Sequence, residues 1–251
     1  VVIHHKPLTP ELVQPLLRGR LGRPYLWSES RPSTQDALRD PTFPEGAVAV
    51  TEHQTAGRGR AGRKWEDTPG AALLCSVLLR PPNATAAPQL SLVCALAVAE
   101  SVEATIGLEA SVKWPNDVLV AGRKVAGILL EGHEGAIVCG VGVNVSQTET
   151  TLPPETRMPP ASLHTLTGQE HDRAALLVLL LERLETLYDA WLEAGLAPLL
   201  PALERRNALR GRGVRVGEDA GTAGRIAEDG RLTLTLPDGT IVLVASGEVT
   251  A

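Results

Sequence analysis

His53 to Trp65 reads HQTAGRGRAGRKW, and it gathers four cations, Arg58, Arg60, Arg63 and Lys64, among glycines 57, 59 and 62. Guanidinium groups are planar forks suited to phosphate or carboxylate, and glycine lets the backbone come close to such an anion. On its own the segment is either an anion-binding lid or a plain solvated loop. Its glycines satisfy G-x-G-x-x-G, but RKWEDTPG follows, with a Pro-Gly turn where a helix would have to continue. A dinucleotide fold needs that helix N-terminus to hold a pyrophosphate, so a Rossmann site is excluded on context. A P-loop is excluded too, because Gly62 is followed by Arg63-Lys64 and not by Lys and then Ser or Thr.

A second segment points in the same chemical direction. In VKWPNDVLVAGRKVAGILLE, Pro115 pushes Trp114 into an extended conformation. Asn116 and Asp117 then present an amide and a carboxylate at a turn, which by itself is no more than an Asx turn. Lys124 heads a strand that otherwise reads as buried, so it either snorkels to solvent or faces an anion in a cleft. Gly127 in mid-strand marks a close approach to the backbone. His53 and His133 lack metal spacing, and no metal ligand is assigned.

The elements that must position these residues follow from periodicity and punctuation. A first helix runs from an N-cap at Thr9, through Pro10, to Gly19. PYLWSES is a strand, and STQDALRD opens a helix with Ser33 as N-cap and Asp36 completing a capping box. GAVAVTEHQ and AALLCSVLLR are strands, and a long helix over APQLSLVCALAVAESVEATIG stops at Gly107. Four strands follow (ASVKW, DVLVAG, RKVAGILLEG and AIVCGVGVNVS), joined by tight glycine turns as antiparallel hairpins. After a proline-rich loop from Thr151 to Pro160 come a helix from Asp172 to Ala194 and a shorter one from Leu199 to Leu209. Beyond Gly211 the chain is all short strands, with hairpin turns at Asp229-Gly230 and Asp238-Gly239. The fold class is α+β, a mixed and largely antiparallel sheet with packed helices, plus a small C-terminal β-barrel. The domains expected are 1–210 and 211–251.

Bulk properties narrow the field. The chain has 251 residues, 43% of them apolar, and a formal net charge of −5, which disfavours a general nucleic-acid binder. Cys75, Cys94 and Cys139 are far apart within apolar runs and read as reduced core thiols. The apolar stretch AALLVLLLERL is too short to span a bilayer, and VVIHHKPL is no signal peptide, so a cytoplasmic location is expected.

GRGRAGRKW followed by KWPND, GRKVAGILLE and GVGVNV, in that order, resembles the biotin protein ligase family over residues 23–209, and the C-terminal barrel fits as well. The resemblance implies a class II synthetase-like catalytic domain with an SH3-like barrel. It implies that biotin is activated by ATP and Mg²⁺ to biotinyl-5′-AMP and passed to a lysine of a biotin carboxyl carrier protein. Lys124 matches the family's key lysine, expected to bridge the biotin carboxylate and the α-phosphate. Arg58 and Arg60 match loop arginines that neutralise both anions, and Gly57, Gly59 and Gly127 belong to the same biotin site. Ser33, Thr34 and Gln54 match positions that bind the ureido ring. Gln35 stands where the family usually has Asn and is expected to bind more weakly. Arg63, Trp65, Asn116, Asp117 and Asn144 are assigned to the nucleotide.

The loop is expected to be a lid, disordered until an anion orders it. With one helix before the catalytic domain, a single-function ligase without an N-terminal DNA-binding domain is expected, and no nucleic acid or membrane partner. A homodimer is left open. The alternatives are a lipoate or octanoate ligase or transferase on the same fold, and a non-catalytic biotin-binding regulator.

Overall fold

The computed structural model describes residues 6–82, 87–153, 158–245, 247 and 249–250. Part of the proline-rich loop expected over Thr151 to Pro160 lies outside them. Seven strands form the large sheet: β1 (Tyr25–Ser28), β2 (Val48–Thr51), β3 (Ala72–Leu79), β4 (Ala110–Lys113), β5 (Asp117–Val120), β6 (Arg123–His133) and β7 (Ala136–Asn144). Their order is β1-β2-β3-β7-β6-β5-β4, with β1 and β2 parallel and every other pair antiparallel. The two hairpins around β6 turn on left-handed pairs, Ala121-Gly122 (φ 50° and 75°) and Glu134-Gly135 (φ 46° and 77°). Two consecutive left-handed residues match the right-handed twist of the strands they join.

Alternation along β7 sorts the two faces of the sheet. Ile137, Cys139, Val141 and Val143 enter the main core with α2 (Ala87–Ile106), the short α3 (Leu163–Thr167) and α4 (Arg173–Ala194). Gly140, Gly142 and Asn144, from the alternate set, line a cavity. β6 repeats the pattern, with Ala126 and Ile128 in the core and Gly127 and Leu129 at the cavity. α2 is long and apolar enough to cross a membrane by length and composition, a match that AALLVLLLERL lacks, yet it lies largely buried in this core. The three cysteines are free and buried, and burial pushes the Cys75 thiol up to about 12.

Arg173, at the start of α4, is 3% exposed and pairs at 2.8 Å with Glu52 at the end of β2, itself 10% exposed. Its guanidinium also donates to the carbonyls of Ala72 and Lys6, both at 2.9 Å. Glu52 accepts in turn from the Leu8 amide at 2.7 Å and from Trp27 Nε1 at 3.1 Å. These bonds tie the start of the described chain to the sheet.

Three expected helices depart from their patterns. α1 covers only Pro10–Val13 before a 3₁₀ turn over Gln14–Leu16, and Thr9 makes no side-chain cap. Pro15 is the reason: it lacks the N–H that would bond back to Glu11, and its ring crowds that carbonyl. STQDALRD is not a helix, holding just a 3₁₀ turn over Asp36–Leu38 whose N-cap is Gln35, not Ser33. Its capping groups are used elsewhere. Asp36 is paired to Arg58 and Arg39, and Ser33 Oγ accepts from the Gln35 amide at 3.4 Å. The helix expected over Leu199 to Leu209 is realised as α5 (Leu200–Arg205), preceded by a 3₁₀ turn. α4 begins as read, with Asp172 accepting from the amides of Ala174 and Ala175.

The C-terminal strands β8 (Gly213–Val216), β9 (Asp219–Ile226), β10 (Leu232–Thr235), β11 (Ile241–Val244) and β12 (Val249–Thr250) form a second antiparallel sheet, ordered β11-β10-β9-β8-β12. Both expected Asp-Gly turns are present, with Gly230 and Gly239 each at φ 85°. The small sheet touches the large one through a specific bond. Trp114, 2% exposed, donates from Nε1 to the Gly230 carbonyl at 2.9 Å.

Candidate active site

The cavity, about 370 Å³, lies against the face of β6 and β7 opposite α2, and three segments wall it. Its floor is glycine. Gly127 pairs with Gly142, and Leu129 pairs with Gly140, in the β6–β7 register. A Cβ on Gly142 would come within 2.6 Å of the Trp65 indole, and one on Gly140 within 2.7 Å of Gln35 Nε2. The floor must therefore be bare for the two overlying side chains to seat. The alternating glycines of GVGVNV were a readable signal for this, because residues two apart on a strand share a face.

One end of the cavity is neutral and buried. Ser33, Thr34 and Gln35 are each 3% exposed. Gln54 Oε1 accepts from the Thr34 amide at 2.8 Å and from Thr34 Oγ1 at 3.2 Å, and Thr34 Oγ1 lies 2.8 Å from Ser76 Oγ. Gln35 donates from Nε2 to the Leu129 carbonyl at 3.1 Å, while its Oε1 is buried without a protein partner. The extra methylene relative to Asn is what lets this amide reach across to β6.

The other end is charged. β5 and β6 slip register between Val118 and Leu119, so Ala126 pairs with Val118 but Lys124 pairs with Leu119. Such a bulge re-aims the side chains beyond it. Lys124 thereby comes to the Gly127 side, with its Nζ 3.3 Å from where a Gly127 Cβ would lie. Its backbone is clamped to the 159–161 segment by bonds to the Pro159 carbonyl at 2.9 Å and from the Ala161 amide at 2.8 Å. Its Nζ pairs with Asp117 at 2.6 Å and stands 6.0 Å from the Trp65 ring centroid. Asn116 accepts from Arg60 Nη1 at 3.1 Å and donates to the Ile128 carbonyl at 2.9 Å. Asn144 donates to the Ala161 carbonyl at 3.1 Å and accepts from Gln147 at 3.0 Å. Trp65 Nε1, like Gln35 Oε1, is buried without a protein partner.

The glycine-arginine segment closes the third side. It is a folded hairpin, with Gly59 N bonded to Arg63 O at 2.7 Å and Trp65 N to Gly57 O at 3.0 Å around a left-handed tip at Ala61 and Gly62. Its neck is clasped by His53, whose Nδ1 lies 2.9 Å from Asp67 Oδ2, and by the Gln54 amide, which donates to Asp67 Oδ1 at 3.2 Å. Burial raises the Asp67 carboxyl, and the bond from His53 opposes that shift. The protein's own groups thus hold the segment in this hairpin.

Most of the predicted residues meet here: Ser33, Thr34, Gln35, Gln54, Arg58, Gly59, Arg60, Arg63, Trp65, Asn116, Lys124, Gly127 and Asn144 all line the cavity. Gly57 lies under the hairpin, where its carbonyl receives the Trp65 amide, and Asp117 is reached through Lys124. Arg58, expected to neutralise substrate anions, lines the cavity and forks onto the carboxylates of Asp36 and Glu131. Asp36 and Glu131 were not foreseen, nor were Leu129, Met158 and Pro160 in the wall. Among the described residues no group of three or more His, Cys, Asp or Glu is placed to hold a metal ion.

The model of the Biotin/lipoate A/B protein ligase family matches residues 27–147, which include every cavity-lining residue except Pro153, Met158 and Pro160. The chain belongs to this family. It is 40% identical over 216 residues to the biotin--[acetyl-CoA-carboxylase] ligase of Mycobacterium tuberculosis, covering 82% of this chain and 79% of that protein. It is 34% identical to the bifunctional ligase/repressor BirA of Bacillus spizizenii over 71% of its own length, but spans only 58% of that protein. Among solved structures it resembles a biotin protein ligase from Aquifex aeolicus in complex with biotin and ATP, with a TM-score of 0.81, 32% identity, and coverage of 90% of this chain and 97% of that one.

Proposed function

We propose that this chain is an ATP-dependent biotin protein ligase that forms biotinyl-5′-AMP and transfers biotin to a lysine of a biotin carboxyl carrier protein. One observation carries the reading. A single cavity joins a neutral, buried end to a cationic end across a glycine floor, in a chain 32% identical to a ligase whose structure holds biotin and ATP. The neutral end suits an uncharged cyclic urea, with Ser33, Thr34, Gln35 and Gln54 supplying donors and acceptors. The cationic end suits a carboxylate meeting a phosphate.

In the first step a biotin carboxylate oxygen attacks the α-phosphorus and pyrophosphate leaves. Lys124 Nζ lies at the cavity floor, where it can bridge the two anions and lower their repulsion, and Arg60 adds a second positive charge. Trp65, over Gly127 and Gly142, offers a ring face to the nucleotide, and Asn116, Asp117, Asn144 and Arg63 surround it. In the second step the carrier amine attacks the acyl carbon and AMP departs. No enzyme side chain becomes covalently attached, so positioning and charge do the work. A magnesium ion fits as one that arrives with the nucleotide, since such ions keep phosphate and water ligands. Glu66 in the cavity wall and Asp117 are the carboxylates that would steady it, and when bound the ion would offset phosphate charge. Residues 1–210 carry both steps in this scheme and 211–251 form an accessory domain. Three reduced thiols fit a cytoplasmic setting.

The test is biotin-dependent ATP–pyrophosphate exchange with Mg²⁺, with lipoate and octanoate as parallel acids. Exchange with biotin alone is expected. Exchange only with lipoate or octanoate would keep the fold and replace the substrate, and binding of biotin with no exchange at all would leave a regulator.

A further inference from the structure

Arg58 makes four hydrogen bonds to protein carboxylates. Nε and Nη2 donate to Glu131 Oε1 and Oε2 at 2.8 and 2.9 Å, and Nη1 and Nη2 donate to Asp36 Oδ2 and Oδ1 at 3.0 and 2.9 Å. A guanidinium has five N–H groups, so four of them are committed to protein carboxylates. Arg39 completes a square, reaching Asp36 Oδ1 and Glu131 Oε2 at 3.3 Å each. Two cations and two carboxylates balance, and the group needs no external anion.

The position of the square matters as much as its charge. Asp36 directly follows Gln35, which bonds the Leu129 carbonyl, and Glu131 lies two residues beyond Leu129 on the same face of β6. Arg58 belongs to the hairpin. One side chain therefore joins three walls of the cavity at its neutral end.

We propose that Asp36 and Glu131 are positioning residues, a two-carboxylate latch that holds Arg58 and with it the glycine-arginine hairpin over the biotin end of the cavity. In this assignment Arg58 fastens the lid, and the charge that meets substrate comes from Lys124 and Arg60. The inference rests on the cavity being a biotin and ATP site.

The latch and a direct anion role for Arg58 predict opposite signs. If Arg58 served substrate anions, Asp36→Asn and Glu131→Gln would free it, and biotin binding would hold or tighten. If the carboxylates are a latch, both isosteric variants loosen the lid. The biotin KM in pyrophosphate exchange then rises about tenfold with kcat little changed, the scale of losing a charge-assisted bond. Arg58→Lys discriminates further, because one ammonium keeps the charge but cannot fork two carboxylates. It is expected to behave like the carboxylate variants. Limited trypsin digestion of the unliganded protein at Arg60, Arg63 and Lys64 provides a readout independent of any substrate, and the latch predicts faster cutting in all three variants.

Wild-type biotin KM in the Asn and Gln variants, or a wild-type KM in Arg58→Lys, would overturn the proposal. Should the wild-type protein exchange with no biotin at all, the cavity reading fails by itself. The trypsin arm then decides the latch, and unchanged cutting would sink it.

Discussion

Arg173 and Arg58 use the same chemistry in opposite surroundings. Arg173 and Glu52 are 3% and 10% exposed, and every bond of Arg173 described above goes to one carboxylate or to backbone carbonyls. Arg58, Asp36 and Glu131 are 33%, 36% and 27% exposed, and they lie at the rim of a cavity. A desolvated pair has nothing to exchange with, so it fixes the position of the chain segments around it. A pair one-third exposed competes with water and salt, so it can let go and re-form. The molecule places the first kind where the fold must not move and the second at the rim of the cavity, on the segment that the proposed transfer to a carrier lysine would require to open.

Breaking each kind should give effects of different size and type. The largest is expected from Arg173→Met, which strands a buried carboxylate and should cost about 3–5 kcal/mol in urea denaturation. A loss below about 1 kcal/mol would mean that Glu52 finds water and that the contrast with the rim is false. Lys124→Ala deprives Asp117 of its partner, but at 28% and 20% exposure it should cost less stability than Arg173→Met. It should nonetheless cut biotin-dependent exchange by about 10²–10³-fold, the usual scale for removing a group that meets developing charge. Equal losses of stability and activity would make Lys124 a structural residue.

Next comes Arg60→Gly, which removes the contact to Asn116. Biotinyl-AMP should escape about tenfold faster, judged from the worth of one hydrogen bond to a charged group, and bystander proteins should become labelled. Unchanged retention on a gel-filtration column would refute a lid role for this arginine.

The smallest effect is on pH. The Arg58 bonds hold Asp36 and Glu131 below their ordinary values of 3.8 and 4.5. Carboxylates lowered by folding contribute stability that is complete above those ordinary values and disappears as the pH falls through the lowered ones. Hydrogen exchange of the Gly59 amide should therefore be insensitive to latch titration between pH 7 and 5.5. Protection should weaken only in more acid solution, by less than about 1 kcal/mol at such exposed sites. Loss of protection already near neutrality would overturn the assignment of this pH dependence to the two latch carboxylates.

Much of the site could be read from residues with short-range meaning. The glycine-arginine segment, Lys124 and Gly127 announce themselves because Gly and charge in a core strand are locally costly. The hairpins around β6 follow from Ala-Gly and Glu-Gly turns of fixed hand. Other features depend on partners far along the chain. Asp36 and Glu131 are 22 and 73 residues from Arg58, and nothing near either carboxylate marks it as that arginine's partner. The capping box at Ser33 was a sound local pattern, overridden because Asp36 and Gln35 gain tertiary partners. Ser33, Thr34 and Gln54 were legible as site residues only through family resemblance, since hydroxyl and amide groups occur on every surface.

Trp114 immediately precedes Pro115, Asn116 and Asp117, and its indole is anchored on the Gly230 carbonyl of the C-terminal sheet. The turn at Asp229-Gly230 is thus an outrigger for the charged end of the cavity. A C-terminal sheet transplanted from a relative would have to bring a turn that offers that same carbonyl. A chimera lacking it would fold both halves and still mis-set Asn116 and Asp117, so the interchangeable unit is the sheet together with the strand that it props.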